Sequence, residues 1–169
     1  MTGYADYVNR ILERRARLAP DFDIDSMLIV MGSVRLGHLL STSSDGAVHR
    51  PVGGTFAGFR ILFALWMLGP QSTTALARMF DLAQPTVTGL VDGLEADGLV
   101  VRVANPDDGR SRLIALTDEG VVRVRVATGA QDRHERELLS GLTPSERHQL
   151  SRLLGRALGS VAQRRDRGA

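Results

Sequence analysis

Residues 72–97 decide the fold of this chain, and they read Ser-Thr-Thr-Ala-Leu-Ala-Arg-Met-Phe-Asp-Leu-Ala-Gln-Pro-Thr-Val-Thr-Gly-Leu-Val-Asp-Gly-Leu-Glu-Ala-Asp. Ser72–Phe80 has the spacing of a short amphipathic helix, and Asp81–Ala83 leaves room only for a tight link. A second helix is predicted over Gln84–Ala96, with Pro85 in the first turn, where its missing N–H costs nothing. Two short helices joined by such a link predict a helix-turn-helix.

A β-hairpin is predicted immediately after the second helix. Leu99–Val103 and Leu113–Leu116 are runs of branched apolar residues, and Asn105–Gly109 between them is rich in turn formers. The order of two helices and then a ribbon is the plan of a winged helix-turn-helix. In that plan the second helix enters the major groove of DNA, and the ribbon reaches toward the neighbouring minor groove or backbone.

The flanking sequence is predicted to be helical, which makes the fold mainly α with a small β wing. Thr55–Leu68 is apolar nearly all round, as expected of a helix buried in the middle of the domain, and Ser41–Gly54 before it reads as a loop. Thr117 and the capping box at 143–146 each predict the start of a later helix. At the amino-terminal end, helices are predicted over Tyr4–Leu18 and from Asp25 onward.

Residue types that hydrogen-bond bases or phosphates lie where the winged helix-turn-helix would present them to DNA. Threonine, serine and glutamine side chains donate and accept hydrogen bonds, and an arginine guanidinium forks onto phosphate or base edges. The candidate DNA-binding residues are Ser72, Thr73, Gln84, Pro85, Thr86, Thr88, Asp108, Arg110, Ser111 and Arg112.

Two motifs within Ser72–Gly120 resemble the MarR family of bacterial transcriptional regulators. Pro106–Arg112, followed by Leu116–Gly120, is similar to the family's wing and to the Leu-Thr-x-x-Gly that opens its next helix. Gln84–Val100, with Gln-Pro-Thr-Val-Thr at its start, is similar to the recognition helix. The resemblance implies that Arg110 inserts into the minor groove, that Asp108 holds its guanidinium, and that the helices at both chain ends form a dimer interface.

The predicted recognition helix carries little positive charge compared with the family. Gly89, Gly93 and Asp97 stand where relatives often have arginine or lysine, and Ala83 stands where a capping serine is common. The sequence therefore leaves two functions open. The first is a ligand-responsive repressor that binds a pseudo-palindromic promoter site as a dimer. The alternative is a winged-helix protein-interaction module with weak or no DNA binding.

Composition excludes several other classes of protein. The 169 residues contain no cysteine, so the chain alone offers no disulfide or thiolate metal site. The net charge is +2, and arginine supplies all of the Lys and Arg residues. The four histidines lack metal-ligand spacing, and no nucleophile or phosphate-loop motif occurs, so neither a metal, a cofactor nor an enzyme is predicted. The absence of a signal segment or an uninterrupted apolar run predicts a cytoplasmic chain without a membrane partner.

These inferences predict three parts in the chain. Residues 55–117 form the DNA-binding domain, residues 1–54 and 118–163 supply dimerisation helices, and residues 164–169 form a disordered tail. Double-stranded DNA and a second copy of the chain are the expected partners. A small-molecule effector, if one exists, is expected between the dimerisation helices and the winged domain, near His38, Arg60 and Trp66.

Overall fold

A computed structural model describes residues 3–50 and 54–168, and within them the chain is mostly helical with one two-stranded antiparallel sheet. This confirms the predicted fold class. The elements are α1 (Tyr4–Glu13), a 3-10 turn (Arg15–Arg17), α2 (Ile24–Ser44), a π-helical turn (Asp45–His49), α3 (Phe56–Leu68), α4 (Thr73–Phe80), α5 (Gln84–Ala96), β1 (Val100–Asn105), β2 (Asp108–Leu116), α6 (Asp118–Leu138) and α7 (Pro144–Gly168).

The chain divides into two compact units, residues 1–43 and 44–169. In the first unit, α1 packs on α2 through Tyr4, whose ring lies 5.3 Å from the Arg35 guanidinium carbon. Helix α2 begins one residue before the start that the sequence predicts at Asp25. Asp23, and not Asp25, accepts the backbone N–H of Ser26 at 3.0 Å, because the helix already begins at Ile24.

Large apolar side chains of α2 remain exposed in the single chain. Ile29 and Val30 are each 62% exposed and Val34 is 70% exposed. By length and mean hydropathy alone, Ile24–His49 also passes the test for a membrane-spanning helix. The same test is passed by apolar helices of soluble proteins, and α2 carries Arg35 in its middle. An uncovered apolar face of this size marks a surface for interaction.

The core of the second unit is built around α3, as the apolar pattern predicts. Thr55 caps the helix by accepting the Gly58 N–H at 3.0 Å, and Ile61 and Leu65 on its inner face are buried against α5, α6 and the sheet. The opposite face is not buried, however, and Met67 is 59% exposed. The prediction that the whole circumference of this helix is buried was therefore wrong.

The segment before α3 differs from the predicted loop over 41–54. Helix α2 continues to Ser44, and a π-helical turn runs from Asp45 to His49, while residues 51–53 lie outside the described part of the chain. Ser44 and His49 are buried and both bond to the Gln131 side chain of α6. These tertiary bonds outweigh the weak helix propensity of a serine- and glycine-containing segment.

The two carboxyl-terminal helices begin as predicted. The Thr117 hydroxyl caps α6 by accepting the Gly120 N–H at 3.0 Å. Thr143 and Glu146 form the reciprocal bonds of a capping box at the start of α7. Helix α7 continues to Gly168, so helical structure extends into the segment predicted to be a disordered tail. Arginine and glutamine are good helix formers, and cationic side chains favour a helix carboxyl terminus.

Candidate nucleic-acid interface

The helix-turn-helix is held together by local backbone bonds and one side-chain contact. The Ser72 hydroxyl caps α4 by accepting the Ala75 N–H at 3.1 Å. Asp81 then adopts a left-handed conformation with φ 52°, which ends the helix and lets the Leu82 N–H reach the Ala77 carbonyl at 3.0 Å. Across the turn, the Gln84 side-chain amide donates to the Thr74 hydroxyl at 3.3 Å. The start of α5 is thereby fixed against α4.

The amino-terminal turn of α5 presents polar side chains on one face and a core residue on the other. Val87 is fully buried, whereas Gln84, Pro85 and Thr86 are exposed. Thr88 is half-buried, and its hydroxyl donates to the Gln84 carbonyl at 3.0 Å, which leaves the oxygen lone pairs available as acceptors. Burial of Val87 therefore orients the exposed face that the sequence predicts for base contacts.

The wing is longer and more regular than predicted. Its strands pair from Val100 opposite Leu116 to Ala104 opposite Arg112, and the register shifts before Asn105 pairs with Asp108. The strands predicted from apolar residues ended at Val103 and began again at Leu113, because polar strand residues carry no hydrophobic pattern. Arg110 and Arg112 consequently lie in a strand and not in an irregular tip.

Side-chain bonds order the turn of the wing. The Asn105 amide donates to the Ser111 hydroxyl at 2.8 Å, and that hydroxyl donates to the Asp108 carbonyl at 3.1 Å. The Asp108 carboxylate accepts the backbone N–H of Arg110 at 3.0 Å. Within the described residues the exposed Arg110 guanidinium makes no ion pair. Asp108 thus holds the backbone of Arg110 and leaves its cation free to meet an anion.

Arg102 joins the wing to the recognition helix and was not among the site residues predicted from the sequence. Arg102 of β1 donates to the Asp92 carboxylate at 2.6 Å and also pairs with Glu95, both on α5. The hydrogen bond to Asp92 raises the pKa of Arg102 most. In the sequence, Arg102 interrupts an apolar run, and acidic residues stand seven and ten positions before it. That pattern could have predicted the two ion pairs.

Apart from the candidate DNA surface, the second unit contains an apolar cavity between α3, α4 and α6. It measures about 670 Å³ and includes the half-buried Arg60, which the sequence predicted near an effector. The Arg60 guanidinium carbon lies 4.5 Å from the centre of the Phe80 ring, and burial lowers the pKa of the group. Among the described residues Arg60 has no carboxylate partner. The other lining residues are Phe56, Phe59, Phe63, Ala64, Met67, Leu68, Met79, Phe80, Thr128, Gln131, Asp132 and Glu135.

The other two residues predicted near an effector are not part of this cavity. Trp66 stands outside its lining and is 36% exposed, with its ring edge-on to Phe63 at 6.1 Å. His38 belongs to the first unit, where it is exposed on α2.

Gln131 connects the cavity to a buried polar cluster. Its amide donates to the Ser44 hydroxyl at 3.1 Å and to the Glu135 carboxylate at 2.9 Å, so its oxygen accepts from His49 Nε2 at 3.0 Å. His49 also stacks on Phe59 at 4.9 Å. Within residues 3–50 and 54–168, no group of three or more His, Asp or Glu side chains could hold a metal ion.

Comparisons with known proteins agree with this geometry. The MarR family profile matches residues 55–111. The chain is 28% identical over 152 residues to the HTH-type transcriptional regulator PecS of Dickeya dadantii, covering 88% of this chain and 91% of PecS. It is 40% identical over 68 residues to the transcriptional repressor YetL of Bacillus subtilis, covering 39% of this chain and 41% of YetL. The crystal structure of the regulator BldR from Sulfolobus solfataricus superposes with a TM-score of 0.69 at 25% identity, covering 80% and 99% of the two chains.

Proposed function

We propose that this chain is a member of the MarR family of transcriptional regulators, to which it is similar in sequence and structure, and that it is a dimeric, sequence-specific DNA-binding repressor whose affinity for DNA responds to a small molecule. The DNA-binding part is residues 55–117. Its recognition surface comprises the ten residues predicted from the sequence, from Ser72 and Thr73 in α4 to Arg112 in the wing.

The observation that carries this proposal is the connection between the wing and the recognition helix. The Arg102 ion pairs and the backbone hydrogen bond from Leu99 to Leu94 both join the wing to α5, so the exposed guanidinium of Arg110 and the exposed residues Gln84 and Thr86 belong to one rigid body. A helix amino terminus and an arginine-bearing ribbon held together in this way can contact the major groove and the neighbouring minor groove of one duplex.

The helices outside the winged domain support a dimer. In α2, Val34 is 70% exposed, and in α6 and α7, Val126 and Leu158 are 68% and 69% exposed. Apolar surface of this extent is stabilised when a second copy covers it. We assign residues 1–54 and 118–163 to dimerisation, which would place the two recognition helices about 34 to 36 Å apart on a pseudo-palindromic site.

The cavity around Arg60 supports a small-molecule effector. Its volume, about 670 Å³, falls in the range of sites for small ligands, and such sites are mostly apolar with a few polar groups. The cavity contacts both α4 of the helix-turn-helix and α6 of the proposed dimerisation part. A ligand that binds one arrangement of these helices better than another would shift the population of the DNA-binding form.

We assign no catalytic reaction to this chain, since PecS and YetL are named as regulators of transcription. The DNA that such a regulator binds lies in the cytoplasm of a bacterial cell, and we place the protein there.

The proposal is tested by selecting a preferred duplex from a random library and measuring its affinity by fluorescence anisotropy at several salt concentrations. Arg110→Ala is expected to weaken binding by about 1 to 3 kcal/mol and to make the salt dependence shallower by about one charge. Arg164→Ala is the matched control, because Arg164 is an exposed arginine of α7 and lies outside both the winged domain and residues 118–163.

Two results would contradict the proposal. A wild-type protein that forms no salt-sensitive, sequence-selective complex would overturn the proposed DNA binding and favour the alternative of a protein-interaction module. A folded Arg110→Ala variant that binds the selected duplex as tightly as the wild type would show that the wing does not contact DNA.

A further inference from the structure

The ion-pair cluster between β1 and α5 places two negative charges on the helix proposed to enter the major groove. Asp92 and Glu95 have 58% and 36% of their side chains exposed, and Arg102, which binds both, is 32% exposed. Asp92 follows Thr88 by one helical turn, so it lies along the same side of α5 as a residue proposed to contact DNA. The cluster therefore lies at the edge of the recognition surface.

No basic residue of α5 balances these carboxylates. Between Arg78 and Arg102 the sequence contains no arginine, lysine or histidine. Duplex DNA carries one negative charge per about 1.7 Å of its axis, so a carboxylate brought to the groove is repelled by several phosphates at once. An uncompensated pair of carboxylates on the recognition helix would weaken every DNA complex, whatever its sequence.

We propose that Arg102 is a positioning residue that acts by charge compensation: it offsets Asp92 and Glu95 on the recognition helix and thereby permits the helix to approach DNA. With its arginine the cluster carries a formal charge of −1, and without it the charge is −2. This inference rests on the proposed DNA-binding function and names a residue that need not touch DNA itself.

The wing is attached to α5 by contacts other than those of Arg102, so attaching the wing is not the only role of Arg102. Leu99, just before β1, and Val100, its first residue, are buried in the core, and the Leu99 N–H donates to the Leu94 carbonyl of α5 at 2.9 Å. Ile114 of β2 exchanges two backbone hydrogen bonds with Gln71, at 2.8 and 3.1 Å. The wing is thus attached to α5 and to Gln71, two residues before α4, by bonds that do not involve Arg102.

The test is a charge series measured against one duplex by fluorescence anisotropy, from about 50 mM to 300 mM salt. The variants are Arg102→Gln, with a cluster charge of −2, Arg102→Gln/Glu95→Gln, with −1, and Arg102→Gln/Asp92→Asn/Glu95→Gln, with zero. If charge compensation is the role of Arg102, affinity follows the charge of the cluster. We expect Arg102→Gln to bind about fivefold to tenfold more weakly at low salt, and the loss to shrink as salt screens the repulsion.

The double variant is expected to bind within about twofold of the wild type, and the triple variant at least as tightly, because the repulsion is gone. Arg164→Gln serves as the control for loss of one positive charge elsewhere on the surface, because Arg164 is exposed on α7 outside the winged domain and outside residues 118–163, and it is expected to change affinity little. Far-ultraviolet circular dichroism and thermal unfolding establish that each variant is folded. If Arg102→Gln does not fold, the triple variant and Arg102→Lys decide the matter, since the lysine preserves the charge but not the fork of two hydrogen bonds.

Failure of charge compensation and failure of DNA binding would give different experimental results. If the double and triple variants bind as weakly as Arg102→Gln, or if Arg102→Lys is equally weak, the ion pairs are a mechanical connection and charge compensation is overturned while DNA binding stands. If wild-type protein forms no complex with DNA, both the proposed function and this inference are overturned.

Discussion

The backbone of Gly120, in the first turn of α6, lies directly against the carbonyl oxygen of Leu99. A Cβ atom at position 120 would overlap that oxygen and would also crowd the Leu116 side chain. The same carbonyl accepts the Thr117 N–H at 3.1 Å, and the Thr117 hydroxyl donates to the Gly98 carbonyl at 2.7 Å. Two backbone segments therefore meet where the recognition helix, the wing and α6 join, and only glycine leaves room for the contact.

Gly120→Ala is accordingly expected to destabilise the fold. Because the added methyl group meets backbone and not a flexible side chain, we expect a loss of about 1 to 3 kcal/mol in the free energy of unfolding. The measurement is urea unfolding at fixed protein concentration. The control is Gly129→Ala, in the same helix, where the added Cβ meets only a distant end of the Arg133 side chain. That variant should be as stable as the wild type or gain up to about 1 kcal/mol from helix propensity; equal stability of the two variants would contradict the argument.

The stability of the protein is expected to fall as the pH falls below about 6.5, the ordinary pKa of histidine. Burial lowers the pKa of His49, while its hydrogen bond to Gln131 opposes that shift. A group that binds its proton less well when folded takes up protons on unfolding, so unfolding becomes easier as the pH drops from 6.5 through the lower pKa of the folded state.

The measurement is the urea midpoint of wild type and His49→Gln at pH 5, 6, 7 and 8. The wild type should lose stability on acidification more steeply than His49→Gln. A parallel pH dependence in both proteins would assign the effect to other groups.

Introducing a charge into the apolar face of α2 is expected to break the dimer. Val34→Asp should yield a monomer, because an aspartate in an apolar interface loses its hydration without gaining a partner. DNA affinity should then fall by about a hundredfold, since two linked half-site contacts become one.

Light scattering after gel filtration gives the mass, and anisotropy gives the affinity. Val101→Asp is the matched control, because Val101 is an exposed valine of the wing, at 42%, outside the proposed interface. It should remain dimeric; dimeric Val34→Asp would place the interface elsewhere.

The cavity beside Arg60 is expected to prefer small aromatic carboxylates over the matching carboxamides. The half-buried guanidinium has no carboxylate partner among the described residues, and aromatic rings form much of the wall. A ligand present at about 100 times its Kd should raise the free energy of unfolding by about 2.7 kcal/mol. Thermal unfolding with each acid and its amide is the measurement.

Arg60→Met should remove the preference for the acid while the protein stays folded. Arg78→Met, which removes an exposed arginine of α4 outside the cavity lining, should keep that preference. An acid and its amide that stabilise the wild type equally would argue against an anion site at Arg60.

Periodicity and caps predicted the elements closest to the proposed DNA surface. The bounds of α5 agree with the structure because Pro85 and Gly98 mark both ends locally, and Gly98 adopts φ 72° as a helix-ending glycine should. The predicted bounds differ from the structure where polar residues continue a helix or strand. Helix α2 extends past Ser41, and β2 begins at Asp108, because backbone pairing and contacts with Gln131 do not appear in a hydrophobic pattern.

By itself the sequence determined the order of the elements and the fold class and carried the resemblance to the MarR family, since helix caps, turns and apolar periods are set by neighbours within a few positions. Only the tertiary structure decided that Arg102 binds Asp92 and Glu95, that His49 lies buried against Gln131, 82 positions away, and that Arg60 enters an apolar cavity. Those contacts depend on how separate elements pack, and packing is a property of the whole core rather than of any local stretch of residues.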